Sequence, residues 1–211
     1  SAVVPTDITS DDDVATLVAT VSEEFGRADV LVNNAFALPS MKPLARTDFD
    51  AITALYAGEV ARGVATYELE APDTDVMQQR WRAIVDGGYP YLVAESDDGF
   101  AGYAYASAYR TRAGYRWTVE STVYVAAHAR GAGVGRRLMT ALIERCTAQG
   151  FRQMIAVVGD ADNTVSVRLH ERLGFQRSGR FPGIGRKHGR WLDGLQMQRA
   201  LGDGATTPPS E

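Results

Sequence analysis

The sequence has little of several features that define large classes of proteins. Its single cysteine, Cys146, rules out a disulfide framework within the chain, and a small buried residue is the ordinary explanation for it. The formal net charge of -4 gives no electrostatic reason to expect a nucleic acid as partner. No run of about 18 apolar residues occurs, and the start lacks the basic and apolar segments of a secretory signal. A soluble, cytoplasmic protein with no membrane partner is therefore expected.

The common nucleotide-binding motifs are missing as well. Glycines occur at positions 131, 133 and 135, in the segment RGAGVGR over residues 130–136. They do not have the G-x-G-x-x-G spacing of a dinucleotide-binding turn, and no Lys-Ser or Lys-Thr pair follows them as in a P-loop. These two classes of nucleotide-binding protein are therefore disfavoured.

The residues around these glycines nevertheless predict a binding site for an anion. Residues 117–125 alternate in the way that is typical of a half-buried strand. Leu138, Met139, Leu142 and Ile143 then recur at helical spacing, so the glycines form a turn that opens a helix. The first N–H groups of a helix have no partner within it, and glycine lets a ligand come close to the backbone. Such a turn can bind a phosphate, although glycine-rich turns also begin helices that bind no ligand.

The spacing of Arg130, Gly133 and Gly135 is similar to the Arg/Gln-x-x-Gly-x-Gly/Ala pyrophosphate loop of the GNAT superfamily of acetyl-CoA-dependent N-acetyltransferases. Three further stretches resemble its phosphinothricin and methionine sulfone or sulfoximine acetyltransferase branch: WTVESTVYV at 117–125, VSVRLHERLGF at 165–175 and KHGRWLD at 187–193. The resemblance covers residues 41–200. It implies an α/β protein with the GNAT acyl-CoA N-acyltransferase fold, in which helices flank a mixed, mostly antiparallel sheet.

The resemblance also implies acetyl-CoA as the acetyl donor, and no metal. The backbone of residues 123–125 would pair with the pantetheine arm of the donor, and residues 130–136 would hold its diphosphate. Asn163 is placed on the donor too, although an asparagine at this position is also a common helix cap. The donor-binding residues that the resemblance implies are Val123, Tyr124, Val125, Arg130, Gly131, Ala132, Gly133, Val134, Gly135, Arg136 and Asn163.

Two residues are predicted to handle protons. An amine must lose a proton when it attacks a thioester, and the departing thiolate must gain one. Glu120 shares a strand face with Thr118 and Thr122, and the resemblance assigns it as the base, directly or through a water. The spacing alone fits a solvent-facing glutamate equally well. The resemblance assigns His170 as the donor to the thiolate, where a histidine on the helix surface is the simpler interpretation from the sequence alone.

The prediction for the substrate depends on fewer residues. The resemblance puts an arginine from the loop before the central strand on the substrate's carboxylate or phosphinate-like group. Arg112 is the candidate, because an arginine–carboxylate fork suits that task. Arg110 is a close neighbour, and loop arginines are often only solvated. Tyr67, between the first two helices of this region, and Thr118 are the other predicted substrate-binding residues.

The first residues resemble a different family. Thr6-Asp7-Ile8 and the stretch FGRADVLVNNA at 25–35 are similar to an internal piece of a short-chain dehydrogenase/reductase. Phe36 stands where that family has a glycine. The catalytic Tyr-x-x-x-Lys of that family cannot occur, because the only lysines are Lys42 and Lys187. A working dehydrogenase is therefore excluded, and the segment is interpreted as a fused or truncated fragment.

These observations divide the chain into three parts. Residues 1–38 are expected to be a non-catalytic, βαβ-like extension, residues 39–201 the acetyltransferase domain, and residues 202–211 a flexible tail. Within the domain, Asp48 is the expected N-cap of the first helix. Later helices are predicted to begin near Asp73, Val134 and Asn163, and strands to span 91–95, 100–109, 117–125, 154–158, 176–181 and 195–200.

The expected activity is transfer of acetyl from acetyl-CoA to the amino group of a small amino-acid-like substrate, by direct attack without a covalent enzyme intermediate. Phosphinothricin, methionine sulfone and methionine sulfoximine are the expected substrates, and a homodimer is the expected assembly. One alternative is a GNAT enzyme for another small amine. Another is a non-catalytic acyl-CoA-binding or dimerising module whose N-terminal segment blocks the cleft. A third alternative, a nucleotide-binding dehydrogenase module, is supported only by the sequence of residues 1–38.

Overall fold

The described part of the structure, a computed structural model, consists of Thr16 and residues 46–96 and 99–209. The chain divides into two units between Leu38 and Pro39, and the helices and strands given below belong to the second. Apart from Thr16, the extension predicted for residues 1–38 lies outside the described residues.

The described residues of the second unit form four helices and six strands. The helices are α1 (Arg46–Arg62), α2 (Thr74–Asp86), α3 (Val134–Ala148) and α4 (Thr164–Arg172). The strands are β1 (Tyr91–Ser96), β2 (Gly99–Ala108), β3 (Thr118–Val125), β4 (Gln153–Val158), β5 (Gln176–Lys187) and β6 (Arg190–Ala200). Single turns of 3-10 helix precede and follow β3, at Ala113–Tyr115 and Ala127–Ala129.

The six strands form one sheet in the order β1-β2-β3-β4-β6-β5. Neighbouring strands are antiparallel except for β3 and β4, which are parallel. The parallel pairing extends only from Thr118 opposite Gln153 to Ser121 opposite Ala156, whereas β3 continues beside β2 as far as Val125. The two central strands therefore separate in the middle of the sheet. The mixed, mostly antiparallel GNAT fold is confirmed.

Helices cover both faces of the sheet, because its side chains alternate between the faces and both sets include apolar residues. On one face, Leu138 and Met139 of α3 are buried with Val119 of β3 and Met154 of β4. The cluster on the other face joins α1, α2 and β2, and contains Phe49, Ile52, Tyr56, Val60, Met77 and Tyr103. Strand β3 therefore packs against helices on both faces, with Val119 on one face and Tyr124 on the other.

The predicted starts of α2 and α4 are confirmed. The side chain of Asp73 caps α2 by accepting a hydrogen bond from the Val76 N–H at 2.8 Å, and Gly87 is the C-cap of this helix. Asn163 caps α4 in the same way, accepting from the Ser166 N–H at 3.1 Å. The sequence signals for caps were therefore reliable where a side chain and a backbone N–H lie close together in the chain.

Two other boundaries differ from the prediction. The first helix begins at Arg46, so Asp48 is a buried residue of its first turn and not its N-cap. An aspartate is favourable at either position, because both lie at the positive end of the helix dipole. Strands β5 and β6 are longer than predicted and leave a connection of only two residues. His188 and Gly189 form this turn, with φ of 49° and 77°.

The residues after the last strand are held by an arginine. The Arg152 guanidinium donates hydrogen bonds to the Thr207 hydroxyl and the Pro208 carbonyl, each at 3.0 Å, and lies 3.5 Å from the Asp203 carboxylate. Residues 202–209 therefore contact the rest of the domain through Arg152, and the flexible tail at 202–211 stays a prediction. The sequence pattern could not reveal this, because Arg152 is distant in the chain.

Candidate active site

A cleft of about 240 Å³ opens where β3 and β4 separate. Its walls come from β3, from the end of β4, from α4 and from the segment that follows α1. The predicted site residues that line it are Tyr67, Glu120, Val123, Tyr124, Asn163 and His170. The separation of two parallel strands thus brings together side chains that are distant in the sequence.

Glu120 is a half-buried carboxylate in this cleft. It lies on the face of β3 that carries Thr122 and Tyr124, opposite to the face of Val119. Burial raises the pKa of Glu120, and no opposite charge in the described part of the chain offsets that effect. The raised pKa makes this carboxylate a better proton acceptor than a solvated glutamate.

His170 is buried, with only 5% of its surface exposed, so it is not a histidine of the helix surface. Its Nδ1–H donates a hydrogen bond to the Ser166 carbonyl at 2.8 Å, and its ring packs edge-on against Phe175 with 5.1 Å between centroids. Burial lowers the pKa of His170 and outweighs the opposing effect of the Ser166 carbonyl. The ring is therefore neutral at neutral pH, with its lone pair on Nε2. Such a histidine must first accept a proton before it can donate one.

The edge of β3 that faces the cleft is open beyond Ser121. The Ser121 hydroxyl donates to the Ile155 carbonyl at 3.3 Å, where the pairing of β3 with β4 ends. Residues 122–125 still pair with β2, but on the side of β4 the described residues provide them with no strand partner. An open edge presents backbone donors and acceptors to an extended ligand.

The glycine-rich loop has the conformation that an anion site needs. Gly131 and Gly133 have φ of 81° and 79°, and Gly133 is the N-cap of α3 with no side chain capping the helix. The first helical hydrogen bond runs from the Arg137 N–H to the Gly133 carbonyl at 3.1 Å, which leaves the N–H groups of residues 134–136 without helical partners. A Cβ at Gly131 would meet no atom within 4 Å. The loop therefore has both the donors and the space for a diphosphate.

Two loop residues have other contacts. The Arg130 guanidinium donates to the Val125 carbonyl at 3.1 Å and pairs with the Glu59 carboxylate at 2.7 Å, which ties the loop to β3 and α1. The Ala132 carbonyl accepts a hydrogen bond from the Arg137 guanidinium at 3.1 Å. The phosphate donors that remain available in this loop are its backbone N–H groups and the exposed side chain of Arg136.

Two predicted substrate-binding residues lie away from the cleft. Arg112 lines a separate, shallow cleft together with Arg110 and Tyr115. Thr118 begins β3, opposite Gln153, and is not among the residues that line the main cleft. The resemblance placed Arg112 on the substrate, and Thr118 shares a strand face with Glu120, so both assignments stay predictions. The described lining of the main cleft contains no arginine or lysine.

Several residues that the sequence did not single out also line the cleft, among them Tyr56 and Thr66. The hydroxyl groups of Tyr56 and Thr66 lie 2.9 Å apart, within hydrogen-bond distance. The Tyr67 hydroxyl donates to the Gly159 carbonyl at the end of β4. Tyr56 has the spacing of a core residue of α1, so no local signal marks its hydroxyl group as part of a site.

Two features were not found among the described residues. None of the helices in residues 46–96 and 99–209 is long and apolar enough to cross a membrane. The same ranges contain no cluster of three or more His, Cys, Asp or Glu side chains that could hold a metal ion.

Known proteins share this architecture. Residues 41–195 match the family described as "Acetyltransferase (GNAT) domain". The chain is 49% identical over 162 residues to a phosphinothricin N-acetyltransferase of Alcaligenes faecalis, covering 77% of this chain and 82% of that protein. It is 40% identical over 171 residues to an L-methionine sulfoximine/L-methionine sulfone acetyltransferase of Pseudomonas paraeruginosa, covering 80% and 98% of the two chains.

A solved structure gives the same result. The crystal structure of a GNAT superfamily phosphinothricin acetyltransferase from Sinorhizobium meliloti in complex with AcCoA matches with a TM-score of 0.78 and 47% identity. The match covers 81% of this chain and 92% of that one. The sequence match, the sheet with its separated central strands and the loop at the start of α3 agree, and the chain belongs to the GNAT family of acetyltransferases.

Proposed function

We propose that this protein transfers acetyl from acetyl-CoA to the α-amino group of a small amino-acid-like substrate, of the phosphinothricin, methionine sulfone or methionine sulfoximine kind. The observation that carries the proposal is that one cleft holds Glu120 and His170 beside the open edge of β3, which leads towards the start of α3. The activities named for the two relatives support the substrate class. A volume of about 240 Å³ suits a small acceptor.

The residues present fit the donor. When bound, acetyl-CoA would supply an acetyl group activated as a thioester. The open N–H groups of residues 134–136 would hold its diphosphate, and the unpaired edge of residues 123–125 would hold the amide-containing arm. The side-chain oxygen of Asn163 caps α4, which leaves its amide N–H group for the donor.

Glu120 and His170 divide the movement of protons between them. An α-amino group has a pKa near ~8, so most of it is protonated at neutral pH. Glu120 attracts this ammonium group and removes the first proton, directly or through a water. The nitrogen loses a second proton as it bonds to the acetyl carbon. Nε2 of His170 accepts this second proton and returns it to the sulfur as the carbon–sulfur bond breaks, so atoms and charge balance.

The test is to incubate the protein with acetyl-CoA and each of the three amines, and to follow the release of free thiol. Thiol release that depends on the amine is the expected result. If none of the three is acetylated while the protein binds acetyl-CoA, the substrate class is wrong and the search moves to other small amines.

We also propose that residues 1–38 are a non-catalytic extension and that the protein is a cytoplasmic homodimer. Ile184 and Trp191 on β5 and β6 support the dimer, since they are large apolar residues with exposures of 59% and 68%. Light scattering after size-exclusion chromatography should give twice the chain mass. The full chain and a chain that begins at Ser40 should turn over equally, whereas activity of the shorter chain alone would mean that the extension is inhibitory.

A further inference from the structure

Residues 63–68, which we call the strap, leave α1 and form one wall of the cleft. Ala65, Thr66 and Tyr67 all line it. Only its first residue continues the hydrogen bonding of α1, because the Gly63 N–H donates to the Glu59 carbonyl at 2.9 Å, so the position of the other strap residues depends on contacts with other parts of the chain. Those contacts come from the turn between β5 and β6, from the end of β4, and from α1 and α2, where Tyr56 lies beside Thr66 and the Arg80 guanidinium donates to the Glu68 carboxylate at 2.8 Å.

Lys187, the last residue of β5, makes the central contact with the strap. Its ammonium group donates to the Thr66 carbonyl at 2.8 Å and to the Glu59 carbonyl, at the end of α1, at 3.3 Å. Only 3% of Lys187 is exposed. Burying an ammonium group is unfavourable unless hydrogen bonds replace those to water, and here both acceptors are main-chain carbonyls. The charge of Lys187 is therefore directed at the backbone that leads into and through the strap.

Other contacts fix the strap on either side of Thr66. A ring N–H of His188 donates to the Gly63 carbonyl at 3.1 Å. The Tyr67 hydroxyl donates to the Gly159 carbonyl, and its ring lies so close to Gly185 that a Cβ there would be 2.5 Å from ring atoms. The end of β5 and the end of β4 thus set where Tyr67 stands in the cleft.

Lys187 itself is outside the cleft lining, so it is not placed to contact the acceptor or to exchange a proton with it. Its position differs in this respect from that of Glu120 and His170, which line the cleft. A contribution of Lys187 to the reaction must therefore pass through the strap.

We infer that Lys187 is a positioning residue for the acceptor amine: it holds the strap as the acceptor-side wall of the cleft and has no part in holding acetyl-CoA. The inference rests on the proposed function. It requires that loss of the ammonium group weakens acceptor binding while the backbone donors at the start of α3 remain as they are.

The principal test compares Lys187→Met with Arg186→Met. Arg186 is the exposed neighbour of Lys187, so both variants lose one positive charge from the same strand. Loss of charged hydrogen bonds in Lys187→Met should raise the KM for the amine about tenfold or more, with kcat changed less and the Kd for acetyl-CoA within about twofold. Arg186→Met should match the wild type in all three. Equal losses in amine KM and acetyl-CoA affinity, or no change in amine KM, would overturn the inference.

A milder change and a structural measurement protect the test against simple misfolding. Tyr67→Phe removes one hydroxyl contact of the strap and should give the same pattern with a smaller rise in amine KM. Hydrogen–deuterium exchange should be faster in residues 63–68 of Lys187→Met than in Arg186→Met, with α3 unchanged. An unchanged exchange rate in the strap contradicts the inference. This measurement needs no turnover, so it stands even if the wild type acetylates none of the three amines.

Discussion

The two sides of the cleft are built in different ways. The donor side is made of backbone: residues 130–136 follow one another, and two glycines with positive φ turn the N–H groups at the start of α3 outward. The acceptor side is made of side chains from β3, α4 and the strap, and it depends on Lys187 from β5. The donor side is formed by consecutive residues, whereas the acceptor side is formed by residues that come together only when the sheet has folded.

This difference separates the two binding steps. A backbone site recognises what all its ligands share, here a diphosphate, and tolerates changes of side chain. A site made of side chains on several elements can change its selectivity through the position of any one of them. We therefore expect changes at the loop to affect the donor alone, and changes on the acceptor side to affect the amine or the rate.

Gly133→Val should have the largest effect. Valine is strained at φ of 79°, and the changed turn would move the open N–H groups of α3. Loss of several charge-assisted hydrogen bonds should raise the Kd for acetyl-CoA about 100-fold or more, as measured by calorimetry. Gly150→Val is the matched control, because Gly150 follows the other end of α3 with φ of 86° and open space around it. Equal donor affinity in the two variants would contradict the backbone site.

His170→Gln should have the next largest effect, on kcat. Glutamine keeps much of the buried volume but cannot exchange a proton, so kcat should fall about 100-fold or more. The Kd for acetyl-CoA should stay within about twofold of the wild-type value, because the ring contacts Ser166 and Phe175, which lie outside the glycine-rich loop. Steady-state kinetics measures the change in kcat, and calorimetry measures the Kd for acetyl-CoA. A wild-type kcat would show that His170 has no role in proton transfer.

Glu120→Gln should change the pH dependence more than the maximal rate. Burial raises the pKa of Glu120, so the wild-type kcat/KM should fall on acidification at a higher pH than an ordinary glutamate would give. The variant should lack this step and be about tenfold slower near pH 7. Its deficit should shrink above the amine pKa of ~8, where the free amine is abundant. A profile parallel to the wild type from pH 5 to 9 would exclude Glu120 as the base.

Arg112→Gln should have the smallest effect. The arginine lines a different cleft from Glu120, so the KM for the amine should change less than about twofold. Arg110→Gln, at the neighbouring residue of that cleft, serves as its control. A large rise in amine KM in Arg112→Gln alone would restore the substrate contact that the sequence suggested, and would mean that the single chain does not contain the whole acceptor site.

The sequence was most informative where function depends on neighbouring residues. The strand–turn–helix around Gly133 could be predicted, because alternation, glycine and helical spacing occur in one stretch. The placement of Glu120 on a strand face followed in the same way. Lys187 stood out only as part of the stretch KHGRWLD, and its burial could not be predicted because it depends on a turn formed by His188 and Gly189 at positive φ. Arg112 was assigned to the substrate through the family resemblance, and in the structure it lines another cleft, so its role stays a prediction.

The gap between β3 and β4 has a consequence for handling the protein. An unpaired strand edge is a template on which other chains can add, and here it faces the cleft from within the sheet. A ligand that covers this edge should slow aggregation on heating as well as stabilise the fold, by about 2.7 kcal/mol at a concentration 100 times its Kd. Preparations should therefore store and crystallise best with coenzyme A in the buffer.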